Sequence, residues 1–189
     1  MLITPDTRPF DFLKSDLVRS PGIHASDIYN DLFKKLEPKR YDYGDGPPNR
    51  ELMALGTAWE KHFEYLLRAN GIDAQRPDEF LSPQGIAYSP DLIIFNGMTR
   101  VGEIKLTSMS LDELGLEQTN VLPQKFDKYV CQIKLYAKWL ELLHGWLAVM
   151  SIRQPWAPTF WSANLDFTQA ELDRNEAMVL NHGRHQKLI

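Results

Sequence analysis

Two β-type runs, residues 88–95 and 99–106, stand on either side of Asn96-Gly97, and they constrain the fold more than any other stretch of the chain. Asn-Gly supplies the positive backbone angles that tight turns between antiparallel strands need, so the pair predicts a hairpin. Along such a strand side chains alternate, which places Glu103 and Lys105 on one face and Ile104 on the other. Asp91 lies near the start of the first strand, so pairing brings its carboxylate and that of Glu103 to a common point.

Helical periodicity flanks this hairpin. Ser26 reads as the N-cap of a helix that carries Ile28, Leu32 and Leu36 on one face and stops before Pro38. After a Gly- and Pro-rich loop at 41–48, Leu52, Leu55, Trp59, Phe63, Leu66 and Leu67 mark a second helix over 49–70, closed by Gly71. Residues 74–81 predict a first strand and 82–85 a turn. The stretch 107–123 is mixed, with a helical turn at 111–114; directly after the hairpin, it is placed to lie over a substrate. A third helix over 124–143 is marked by Tyr129, Ile133, Tyr136, Ala137 and Leu140, with Gly145 at its end. Strands at 146–152 and 159–165 flank a turn at 155–158, and Thr168 caps a last helix to about Leu180. With residues 1–24 irregular, the order of elements predicts an α/β fold: a central mixed β-sheet flanked by α-helices.

A chain of 189 residues, 43% of them hydrophobic and 24% charged, can bury one core and is expected to form a single domain over 1–189. It carries neither an apolar run of membrane-spanning length nor a signal-peptide pattern, and it has no internal repeat. Cys131, the one cysteine, excludes an internal disulfide, a four-cysteine zinc site and an iron-sulfur cluster. An intracellular, cytoplasmic setting without a membrane partner is expected. The net charge of −4 argues against a protein that coats nucleic acid indiscriminately, although basic clusters occur at Lys34, Lys35, Lys39, Arg40 and at Lys125, Lys128, Lys134, Lys138. Either cluster alone reads as a solvated face.

Two carboxylates meeting across a hairpin can hold a divalent cation, and an ammonium beside them can orient water or stabilise charge on a phosphate. Ser89-Pro90-Asp91, eleven residues, then Glu103-Ile104-Lys105 resembles the signature of the PD-(D/E)XK nuclease superfamily, whose core is that of restriction endonucleases. Gly56-Thr57-Ala58-Trp59-Glu60 resembles the first motif of the RecB-like branch, and Gln132 with Tyr136 resembles its Gln-x-x-x-Tyr motif. The segment from His24 to Tyr29 is similar to that branch's N-terminal helix start.

The resemblance implies a Mg2+-dependent deoxyribonuclease, with Mn2+ as a substitute. Glu60, Asp91, Glu103 and the backbone carbonyl of Ile104 would be ligands, Lys105 catalytic, and Gln132 and Tyr136 supporting the site. Glu64, one turn beyond Glu60, is a weaker ligand candidate, and Lys125 and Lys128 are candidate phosphate contacts. Where the family often has His, this chain has Glu60, which favours hard, oxygen-bound ions. A short chain of this kind resembles phage or mobile-element exonucleases of DNA processing and recombination, acting on DNA as a homo-oligomer or with a recombination partner protein. An endonuclease, or an inactive DNA-binding or assembly protein that keeps the fold, is the alternative. His182 and His185 read as a frayed tail interrupted by Gly183, Cys131 as a buried thiol facing away from the site, and Trp59, Trp139 and Trp146 as core. Trp156 and Trp161 are the aromatic pair expected at the surface.

Overall fold

The structure, a computed structural model, describes residues 20–41, 50–116, 122–154 and 157–189. Helix α1 (Ala25–Leu36) and a short helix α2 (Pro38–Tyr41) precede the long α3 (Arg50–Ala69). Strands β1 (Ala74–Gln75), β2 (Phe80–Leu81), β3 (Ala87–Tyr88), β4 (Leu92–Ile94) and β5 (Arg100–Thr107) follow. A 3-10 turn (Gln124–Phe126) leads into α4 (Asp127–Trp139), and then come β6 (His144–Ser151), β7 (Thr159–Asp166) and α5 (Gln169–His185). Most of residues 1–24, most of the 41–48 loop, residues 117–121 of the mixed stretch and Trp156 lie outside the described residues.

The main sheet has the order β1-β4-β5-β6-β7, and β2 and β3 form a separate two-stranded ribbon. Among the described strands of this sheet only β5 and β6 run parallel; a parallel pair needs a crossover, and here the crossover carries α4. Alternation divides the core in two. Val101, Leu147 and Val149 face α4 and the main cluster, to which α1 and α5 contribute Ile28, Leu172 and Val179. Ile104 and Ala148 face the other way, into a smaller cluster with Phe63 of α3. The sheet is thus mixed and flanked by helices on both faces, as the order of elements predicts.

The differences from expectation have local causes. The strand expected over 74–81 is split around Pro77, its first part pairing with β4 and its second with β3. Pro90 likewise divides the run 88–95 into β3 and β4, since a proline cannot donate to a ladder. His24, not Ser26, occupies the N-cap of α1, and no side chain caps that helix. The third helix stops at Trp139, where the chain turns through Glu141 at φ 57°. Gly145 therefore lies inside β6, where a Cβ would stand 2.4 Å from Ile133 Cγ2. Thr168 caps α5 through a capping box with Glu171, but the helix runs past Leu180 to His185. Gly183 does not break it; this glycine lets Ile189 and Ile28 approach the helix.

Candidate active site

Strand β5 presents Glu103 and Lys105 on the face covered by α4. The antiparallel register, Leu92 opposite Gly102, carries Asp91 towards Glu103. The Ile104 amide donates to Asp91 Oδ2 at 2.8 Å, which fixes this carboxylate on the hairpin. The Glu103 side chain is 1% exposed. Its Oε2 accepts from Gln132 Nε2 at 2.7 Å, and its Oε1 pairs with the Lys105 ammonium. Lys105 Nζ also lies 3.8 Å from Asp91 Oδ2 and 4.8 Å from the centre of the Tyr129 ring.

Spacing of four along α4 puts Tyr136 beside Gln132, and its hydroxyl accepts from Gln132 Nε2 at 3.5 Å. Tyr29 of α1, buried, extends the line with its hydroxyl 3.4 Å from that of Tyr136. Glu103, Gln132, Tyr136 and Tyr29 thus form a polar chain through the interior, and buried polar groups need such partners.

Glu60 of α3 is turned to Arg76, whose Nη2 stands 3.1 Å from Glu60 Oε2 and whose Nη1 donates to the Thr57 carbonyl at 3.3 Å. Glu64 pairs with Arg68 on its own helix, outside the cluster. Among the described residues, no three His, Cys, Asp or Glu side chains converge closely enough to hold a metal ion. Asp91, Glu103, Lys105, Gln132 and Tyr136 are brought together, then, while Glu60 joins them only through the field of its charge.

That field is strong. Burial pushes the Glu103 carboxyl up, and Asp91 adds to the effect, against Lys105. Burial also raises Glu60, again reinforced by Asp91 and opposed by Arg76 and Lys105. Burial disfavours the charge of Lys105, but Glu103 and Asp91 overcome it and hold the ammonium well above the usual lysine range. Carboxyl oxygens gathered in a buried place are hard donors whose charged form needs a cation, and that chemistry fits a hard divalent ion.

A cavity of about 570 Å³ opens beside this centre, lined by His24, Arg76, Glu79 and Ser89 and bordered by Gln132 and Tyr136. Lys128 adjoins the centre, its ammonium 5.4 Å from the Tyr129 ring and its pKa lowered by burial and by Lys105. Lys125 donates to the Glu113 carbonyl at 2.9 Å. Cys131 is buried and faces the helical side, its carbonyl accepting from Asn175; burial pushes its thiol up to about 12. Trp59, Trp139 and Trp146 all pack against core clusters, and so does Trp161, which is therefore not the surface aromatic expected. His182, in α5, bonds Asp31 Oδ2 of α1 at 2.7 Å instead of sitting in a frayed tail.

Sequence reasoning missed Tyr29 as a site neighbour, Arg76 and Tyr129. Tyr129 is apolar at helical spacing, and so reads as core until Lys105 is seen over its ring. Arg76 follows a two-residue strand and gives no periodic signal at all.

No family model matches the sequence, and no curated protein matches it. Solved structures do. An alkaline exonuclease (LHK-Exo) from Laribacter hongkongensis superposes at a TM-score of 0.57 with 14% identity, covering 94% of this chain and 92% of that one. The same enzyme in complex with dAMP superposes at 0.55, with 13% identity and the same coverage. SSO0001 superposes at 0.49, with 16% identity over 90% of this chain and 85% of that one. What this chain shares with the exonuclease is the fold, matched over nearly the full length of both chains.

Proposed function

We propose that this protein is a metal-dependent deoxyribonuclease of the PD-(D/E)XK type, RecB-like branch, working as an exonuclease. The observation that carries this reading is the group made by Asp91, Glu103, Lys105 and Gln132: two carboxylates and an ammonium at one point of a hairpin, held from above by an α4 side chain. The likeness in fold to an alkaline exonuclease supports it, though fold alone does not establish chemistry.

Asp91, Glu103, Glu60 and the Ile104 carbonyl would hold Mg2+. When bound, the ion neutralises charge on the scissile phosphate and makes water a better nucleophile. The chain's own residues supply the rest. The Ile104 amide keeps Asp91 aimed at the site, and Gln132 keeps Glu103 there. Lys105, paired with Glu103 and 3.8 Å from Asp91, is placed to donate to a phosphate oxygen and stabilise developing negative charge. The adjoining cavity would seat the end of a DNA strand beside this group.

Incubating the protein with uniformly labelled linear duplex DNA, with Mg2+, Mn2+ or EDTA, tests the proposal. Nucleotides should be released with either ion and not with EDTA. DNA left intact in all three conditions would remove the nuclease reading.

A further inference from the structure

The two basic clusters of the sequence do not survive folding as units. Lys35 pairs with Asp31 at 2.9 Å, Lys134 with Glu171 at 3.7 Å and Lys138 with Asp173 at 2.7 Å. These lysines therefore serve contacts along or between helices. Lys39 is exposed on α2, Arg40 beside it pairs with Glu37, and Lys125 and Lys128 sit where the 3-10 turn enters α4. Gln124 donates to Glu37 at 3.4 Å, tying these two places together, and Asp127 feels both Glu37 and Arg40.

The line continues in both directions. Lys128 and Lys105 lie over the same Tyr129 ring, which leads into the reaction centre. Glu113 accepts Lys125 at its carbonyl and Arg153 at its carboxylate, adding a cation that no sequence pattern marked. Among the described residues, five cations (Lys39, Arg40, Lys125, Lys128, Arg153) are thus interleaved with three acids (Glu37, Glu113, Asp127), two of them paired with Arg40 and Arg153, on a chain whose net charge is −4. A local positive excess on an acidic protein, continuous with a lysine of the candidate centre, has the charge complement of a phosphodiester backbone.

We infer that the corner where α2 meets the start of α4 is the track along which the nucleic-acid backbone runs to and from the reaction centre. The inference rests on the nuclease reading for its direction, but its test does not depend on cleavage.

Binding of a fluorescent DNA duplex is measured in EDTA from about 50 to 200 mM salt, for the wild type and Lys39→Ala/Arg40→Ala. Loss of two phosphate contacts should weaken binding roughly tenfold or more at about 0.1 M salt and flatten the log-log salt slope by nearly two. Lys134→Ala/Lys138→Ala removes the same charge from the α5 side and should change affinity less than about twofold, since a general charge effect is screened. The charge-retaining Lys39→Arg/Arg40→Lys should bind as the wild type does, which controls for folding. Equal weakening by both alanine pairs, unchanged binding by the first pair, or no binding by the wild type overturns the track. Cleavage by the wild type in Mg2+ is scored separately. A cleaving enzyme with unaffected binding sinks the track alone, whereas selective loss of binding without cleavage keeps the track and sinks the nuclease.

Discussion

At position 103 a carboxylate is almost fully buried, and it is tolerated there because Gln132 bonds one oxygen and Lys105 pairs with the other. An unpaired charge in that place would cost several kcal/mol, so a neutral form would take over. Replacing Lys105 by Ala should leave the fold in place, with Glu103 taking up a proton. The same change removes the positive charge facing the phosphate, and by analogy with loss of one transition-state donor it should slow cleavage by about 100-fold or more. Single-turnover cleavage alongside a thermal melt separates the two effects. Cleavage within a few-fold of wild type would take Lys105 out of the chemistry. Gln132 acts through Glu103, and Gln132→Leu would leave Glu103 Oε2 without its donor. We expect weaker Mg2+ binding by calorimetry, partly restored in Gln132→Asn.

At the scale of elements, the hairpin and the helices that cover it were legible because their signals are local. Alternation placed Glu103 and Lys105 on one face, and the spacing of Gln132 and Tyr136 placed both on the side of α4 that faces them. Interruptions were less legible, since the strand propensity around Pro77 and Pro90 hides the proline breaks that send β2 and β3 into a separate ribbon. Gly145 was read as a helix end because glycine commonly ends helices. Its actual role depends on Ile133 and Phe167, which arrive from α4 and from the end of β7. Arg76 was illegible for the same reason, as its partner Glu60 comes from another element. Two variants test these assignments by denaturant unfolding. Gly145→Ala forces a methyl against Ile133 and should cost about 1–3 kcal/mol. Thr168→Ala removes the α5 cap and should cost about 1 kcal/mol. A neutral Gly145→Ala would contradict the close packing of α4 on β6.

For the whole molecule, the raised carboxyls tie stability to pH and to the ion. Burial, reinforced by Asp91, pushes Glu60 up to about 7 from an ordinary 4.5, and Glu103 is shifted in the same direction. Between those values the folded chain holds protons that the unfolded chain has released, so stability is greatest below the ordinary range and falls as pH rises through it. Carboxylates held low by partners, such as Glu113 and Asp173, contribute fully above that range and do not mask the trend. The metal-free protein should therefore melt at lower temperature near pH 8 than near pH 5, and Mg2+ should raise the melting temperature more at the higher pH. A metal-free melting temperature that climbs across this interval would contradict the shifts. Among the described residues no helix is long and apolar enough to cross a membrane.

The central claim is that Asp91, Glu103 and Lys105 form a centre that cuts DNA from an end. End-labelled linear and covalently closed circular DNA, incubated with Mg2+ or EDTA and with wild type or Lys105→Ala, test it most directly. The account predicts loss of linear DNA by the wild type in Mg2+ alone, with circles spared and the variant slower by about 100-fold or more. Cleavage by the variant at the wild-type rate would contradict the site, cut circles would contradict the exonuclease, and intact DNA throughout would leave the fold without the function proposed for it.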